Sequence, residues 1–67
     1  MSYNLLDFSL VRKLTRDPAS FREAINSRDH KRITHVIVDE VQKLPWILDE
    51  VHNIIESSDH PPYFILT

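Results

Sequence analysis

The chain has no glycine and no cysteine in its 67 residues. Average usage of about 7% would place roughly five glycines in a chain this long. Their absence excludes a phosphate-binding loop of the form Gly-x-x-x-x-Gly-Lys-Ser/Thr anywhere in it, because the glycines of that loop let the backbone approach the phosphates. The lack of cysteine excludes a disulfide framework and a thiolate zinc site, and it suits a reducing, cytoplasmic setting, which is the expected location. There is no block of basic residues: 8 basic and 10 acidic side chains leave a net charge of −2. The segment therefore carries no direct signal for nucleic acid. No apolar run approaches the ~20 residues of a membrane span, so no membrane partner is expected. The start, Met1-Ser2-Tyr3-Asn4, lacks the charged and apolar regions of a signal peptide. The length allows at most one small domain, which would bury only about 60% of its unfolded surface.

What is present alternates between two kinds of pattern. Tyr3 to Phe8 reads as a short strand with Ser9 as the N-cap of a helix whose stripe is Leu10, Val11 and Leu14. Asp17-Pro18 reads as a second helix start, with Phe21, Ala24 and Ile25 at helical spacing. Asn26 to Lys31 is polar and reads as a surface loop. Ile33 to Val38 is rich in β-branched residues and has no helical period, as in a buried strand of a parallel sheet. Pro45 opens the most clearly amphipathic helix, with Ile47, Leu48, Val51, Ile54 and Ile55 on its apolar stripe. Ser57 to Pro62 breaks it, and Tyr63 to Leu66 reads as a third strand. This order of strands and helices predicts an α/β domain with a parallel sheet.

Asp39 and Glu40 end the buried strand. Ligands of open parallel sheets bind beyond the carboxyl ends of the strands, so a strand-mounted Asp-Glu pair is placed to serve Mg²⁺ and an attacking water. The first acid would hold the ion through its water shell, since Mg²⁺ releases water reluctantly. The pattern alone is equally that of two acids capping a following helix and favouring its dipole. Pattern leaves both readings open.

The surrounding residues carry a resemblance. Val36-Ile37-Val38-Asp39-Glu40-Val41-Gln42-Lys43-Leu44-Pro45 resembles the Walker B region of a large prokaryotic group of AAA-family ATP-binding proteins, and Phe64-Ile65-Leu66-Thr67 is similar to the strand that follows in that family. Tyr3 to Asp7 and the Leu14 to Phe21 stretch are similar to its second strand and the segment after it. The resemblance implies a partial P-loop NTPase (AAA+) three-layer fold over residues 1–67, truncated at both ends, with three parallel strands in the order 4-3-2 and flanking helices. It implies Asp39 as the Mg²⁺-associated acid, Glu40 as the catalytic water-orienting acid, and Thr67 near the sensor position that meets the γ-phosphate or water. ATP and Mg²⁺ would be the ligands of the intact protein. Lacking the phosphate loop, this fragment is expected to bind neither tightly and to be inactive alone. Gln42 and Lys43 belong to the motif and are given only the task of shaping the turn into the helix. The strand that would flank Tyr63–Leu66 in that fold is missing, which leaves an apolar edge open to self-association.

Two other readings compete. One is a small stand-alone α/β interaction module using the helix face or the open strand. The other is an acidic metal-dependent nuclease-like site built from Asp7, Asp39 and Glu40, against which Asp7 reads more simply as a turn acid beside Ser9. His30, His35, His52 and His60 have no spacing that suggests a zinc site. His35 is expected on the sheet with its ring partly solvated, and Trp46 is expected to pack over the sheet.

Overall fold

A computed structural model describes residues 1–26 and 34–67. Strand β1 (Ser2–Asn4) leads to helices α1 (Phe8–Arg16) and α2 (Ala19–Asn26), then strand β2 (His35–Asp39), a short 3-10 helix (Val41–Lys43), helix α3 (Ile47–Ser57) and strand β3 (Tyr63–Leu66). The strands form one parallel sheet in the order β1-β2-β3. The described residues thus form a small α/β domain with three parallel strands and three α-helices. Strands added one after another in the same direction, by right-handed crossovers, put the helices on one face of the sheet.

Burial confirms that layering. Val36 and Val38 of β2 are fully buried, while His35 and Asp39 at the two ends of the strand are exposed and Ile37 between the valines is half-buried. The core on the buried side joins Leu5, Leu14, Phe21, Ile25, Val36, Val38, Leu44, Ile47, Val51 and Ile54. Phe21 is its largest member and stacks at 5.1 Å, tilted, on Tyr3 of β1. Trp46 and Phe64 pack against its margin. Among the described residues no helix covers the opposite face, so two layers are present, and the second helical layer of a three-layer arrangement is not among them.

Several local expectations need correction. The first strand ends at Asn4, and Phe8 is already the first residue of α1. The helix is capped by Asp7, not Ser9: the Asp7 carboxylate accepts the Ser9 and Leu10 N–H groups at 2.9 and 3.4 Å. Aspartate satisfies two of the four orphan donors of a first turn, a task that either residue type could perform. Asp17 closes α1 by donating its N–H to the Lys13 carbonyl, and α2 begins at Ala19. Asn26, the first residue of the expected loop, is the last residue of α2, and the rest of the loop expected over 26–31 lies outside the described residues, as does Ile33.

Pro45 does not open α3 directly. A 3-10 turn and Leu44 precede it, and α3 starts at Ile47 with Leu48 N–H bonded to the Pro45 carbonyl at 3.1 Å. The α3 stripe is also narrower than expected. Ile47, Val51 and Ile54 are buried, but Leu48 and Ile55 are 48% and 46% exposed. The reason is the position of the neighbour: Glu50 faces α2, where Arg22 Nη1 lies 3.5 Å from its Oε2, an ion pair without hydrogen-bond geometry. Leu48 and Ile55 lie on the other side of the buried stripe, where no described element covers them.

Candidate functional site

Parallel strands bring all three carboxyl ends to one rim. The register pairs Asn4 with Asp39 and Val38 with Leu66, so Thr67 falls beside Asp39. Side chains alternate along a strand. Tyr3, Val38 and Phe64 point to the helices, so Asn4, Asp39 and Thr67 share the uncovered face. The result is a row of three polar side chains across the rim, with an aspartate at the centre.

The backbone holds this row firmly. The Asp39 carbonyl accepts the Leu5 N–H at 3.1 Å, which ties β1 to the end of β2. Thr67 N–H donates to the Val38 carbonyl and the Thr67 carbonyl accepts the Val41 N–H, both at 2.9 Å. The Thr67 hydroxyl then donates to Asp39 Oδ1 at 2.5 Å. The remaining oxygen of this exposed carboxylate is left toward solvent on the open face. The Asn4 side chain bends to its own backbone, accepting the Leu6 N–H at 3.1 Å and fixing the turn into α1.

Glu40 leaves the strand abruptly. Its backbone sits at φ 61° and ψ 46°, the left-handed region, and it is the one described residue with positive φ. That conformation costs a residue with a Cβ about 1–2 kcal/mol. It turns the chain out of the sheet into the 3-10 helix, whose Lys43 N–H bonds back to the Glu40 carbonyl at 3.0 Å. The Glu40 carboxylate accepts a short hydrogen bond from the Gln42 side-chain amide. Neither acid caps a helix through its side chain: Glu40 makes no such bond, and α3 starts seven residues beyond it. The capping alternative for the pair is therefore replaced by a hydroxyl partner for Asp39 and an amide partner for Glu40.

The sequence-derived residues divide accordingly. Asp39, Glu40 and Thr67 come together at the rim. Asp7 is engaged as the α1 cap, and among the described residues no group of three acids or histidines could hold a metal ion. His35 is exposed on the uncovered face, 2.9 Å through its Nδ1 from the Thr34 hydroxyl, with its ring 5.6 Å from that of Tyr63. His52 instead pairs with Glu56 one turn along α3. Asn4 and Gln42 were not given these positions by sequence. Strand register would have found Asn4, since the polar residue that ends β1 must meet the one that ends β2. A turn that places residues 40 and 42 on one side would have found Gln42.

These oxygens can bind a hard cation through its water shell and can accept or orient a water proton. Comparison with known proteins adds no relative: no family profile, curated protein or solved structure matches the chain. No helix among the described residues is long and apolar enough to cross a membrane.

Proposed function

We propose that the rim row and Glu40 are the magnesium-and-water half of the hydrolytic site of an AAA+-type P-loop ATPase, in which this chain supplies three neighbouring strands of the three-layer sheet, ordered 4-3-2. The observation that carries the reading is the placement of an Asp-Glu pair at the end of the central parallel strand, with the Asp hydrogen-bonded to a threonine at the end of the next strand.

The residues fit a magnesium ion held mainly by water and phosphate. One exposed carboxylate with a free oxygen, and no cage of three acids, is what such an ion uses when a nucleotide supplies other ligands. Bound there, the ion would neutralise charge on the phosphate oxygens. Asp39 would hold it through water, with its carboxylate oriented by Thr67. Glu40 would accept a proton from, and orient, the attacking water, with its carboxylate restrained by Gln42. Thr67 would meet the γ-phosphate or that water. The polypeptide has no glycine and hence no phosphate loop, so it is expected to have negligible ATPase activity alone.

The coding sequence upstream of Met1 tests this reading. A Gly-x-x-x-x-Gly-Lys-Ser/Thr loop following a strand pattern, in frame or frameshifted, is expected there. Non-coding sequence on both sides would remove the support and favour the stand-alone interaction module.

A further inference from the structure

Exposed apolar area is concentrated on one flank of the molecule. Of the eight large hydrophobic side chains exposed among the described residues, five belong to β3 or α3: Leu48, Ile55, Tyr63, Ile65 and Leu66. Among the described residues β3 is an edge of the sheet, and the apolar pair on α3 lies on the side away from α2, so the five form one strip around that edge. The strip carries no charge. The opposite edge, β1, is shorter and polar, and the charged Met1 ammonium sits at its start, donating to the His35 carbonyl at 3.3 Å.

The backbone of β3 has a particular symmetry. Tyr63 N–H donates to the Thr34 carbonyl and Thr67 N–H to the Val38 carbonyl, both toward β2. Alternation turns the N–H and C=O groups of Phe64 and Leu66 outward. These are two residues centred on Ile65. A two-fold axis perpendicular to the sheet through Ile65 sets Phe64 of each copy opposite Leu66 of the other, and each such pair exchanges two hydrogen bonds. Ile65 then faces its own counterpart across the close, non-hydrogen-bonded position, where Cα atoms approach to about 4.5 Å. The same axis keeps both helical layers on one side of the joined sheet and lays the two α3 helices antiparallel, Leu48 toward Ile55.

We infer that this flank pairs with a second copy of the chain, β3 to antiparallel β3, to give a two-fold dimer with a six-stranded sheet. A second copy is the occupant because the strip matches itself: it is uncharged, its outward donors and acceptors satisfy each other, and its apolar side chains meet in both layers. The strip exposes on the order of 500 Å² per copy, so the contact covers at most about 1,000 Å², the lower bound for specific association. A contact at that bound makes a weak dimer, populated only at high protein concentration. The inference rests on the open β3 edge of the 67-residue chain and on none of the rim acids, so its sedimentation test and the tests of the nucleotide reading fail separately.

Sedimentation equilibrium on the 67-residue chain tests it over a concentration series from about 10 µM to 1 mM. The expected mass rises to twice the monomer and stops. Ile65→Lys places two ammonium groups across the axis, where like charges oppose each other, and should raise the dissociation constant at least tenfold with an unchanged circular dichroism spectrum. An equimolar mixture of Ile65→Lys and Ile65→Glu should dimerise again, and Leu48→Glu should weaken the dimer through α3 alone. Asp39→Asn should leave the association unchanged. Monomer at every concentration, growth beyond the dimer, or a lysine–glutamate mixture that stays monomeric would each overturn the proposal. Growth beyond the dimer would indicate head-to-tail pairing of β3 with β1.

Discussion

Glu40 offers a test in which the sign, and not only the size, is diagnostic. At helix or strand positions alanine is more stabilising than glycine by about 0.5–1 kcal/mol, because glycine loses more backbone entropy on folding. At φ 61° and ψ 46° the order should invert. Alanine there retains the steric cost of the left-handed conformation, about 1–2 kcal/mol, which glycine avoids. Glycine still loses an extra 0.4–1 kcal/mol, approximately, through the unfolded chain. The difference leaves Glu40→Gly more stable than Glu40→Ala by about 0.5–1 kcal/mol. Both variants lose the Gln42 hydrogen bond equally, so that contribution cancels. For a domain of this size the difference corresponds to roughly 3–6 °C in Tm. It also corresponds to about 0.5–1 M in urea midpoint at a slope near 1 kcal/mol/M. Thermal and urea melts followed by circular dichroism at one protein concentration would measure it. Equal stability, or alanine the more stable, would show that residue 40 does not hold this conformation. The inversion bears on function as well. A chain with no glycine keeps a strained glutamate where glycine fits without strain, and strain of this kind gathers at functional sites.

Other consequences can be checked in the same melts. Asp7→Ala should cost about 1 kcal/mol by removing the α1 cap, and a loss near zero would mean that the carboxylate has another task. Phe21→Ala removes the largest fully buried side chain and should cost about 3–5 kcal/mol. That is comparable to the whole stability a core this small provides, so the variant should be unfolded at 25 °C, and a cooperative melt would contradict the packing. Arg22→Ala should cost under about 1 kcal/mol and lose its effect at high salt, because Arg22 is 43% exposed and the pair with Glu50 is screened. A larger, salt-independent loss would mean that the pair is more enclosed than its geometry indicates.

The architecture was legible because its two periods are strong. The run over 33–38, rich in β-branched residues and without a helical repeat, overlaps the central strand His35–Asp39, and the 47-51-54 spacing became the buried stripe of α3. What failed is what depends on neighbours. Leu48 and Ile55 fit an apolar stripe as well as Val51 does, and only the position of α2 beside Glu50 decides which of them is covered. Ser9 and Asp7 are both good caps, two residues apart, and the strand length that chooses between them is set by pairing with β2. At the candidate site, the pattern suggested Asp39 and Glu40 and the family resemblance suggested Thr67, but the contact between Asp39 and Thr67 spans 28 positions in the chain and follows only from strand register. Gln42 was legible as part of a motif and not as a partner of Glu40, because the left-handed turn that brings them together has no glycine to announce it.

Competition for the β3 edge links the two proposals. A phosphate-loop strand supplied by a longer chain would occupy the edge that the dimer uses, so a protein extended in that way should sediment without the two-fold contact.

The central claim is tested most directly by nucleotide turnover in a chain joined to such a phosphate loop, comparing Glu40 with Glu40→Gln at saturating Mg-ATP. The account predicts that the variant retains ATP binding while its turnover falls by at least 10²-fold, the scale of a lost general base. Turnover equal to that of the unsubstituted chain would contradict it.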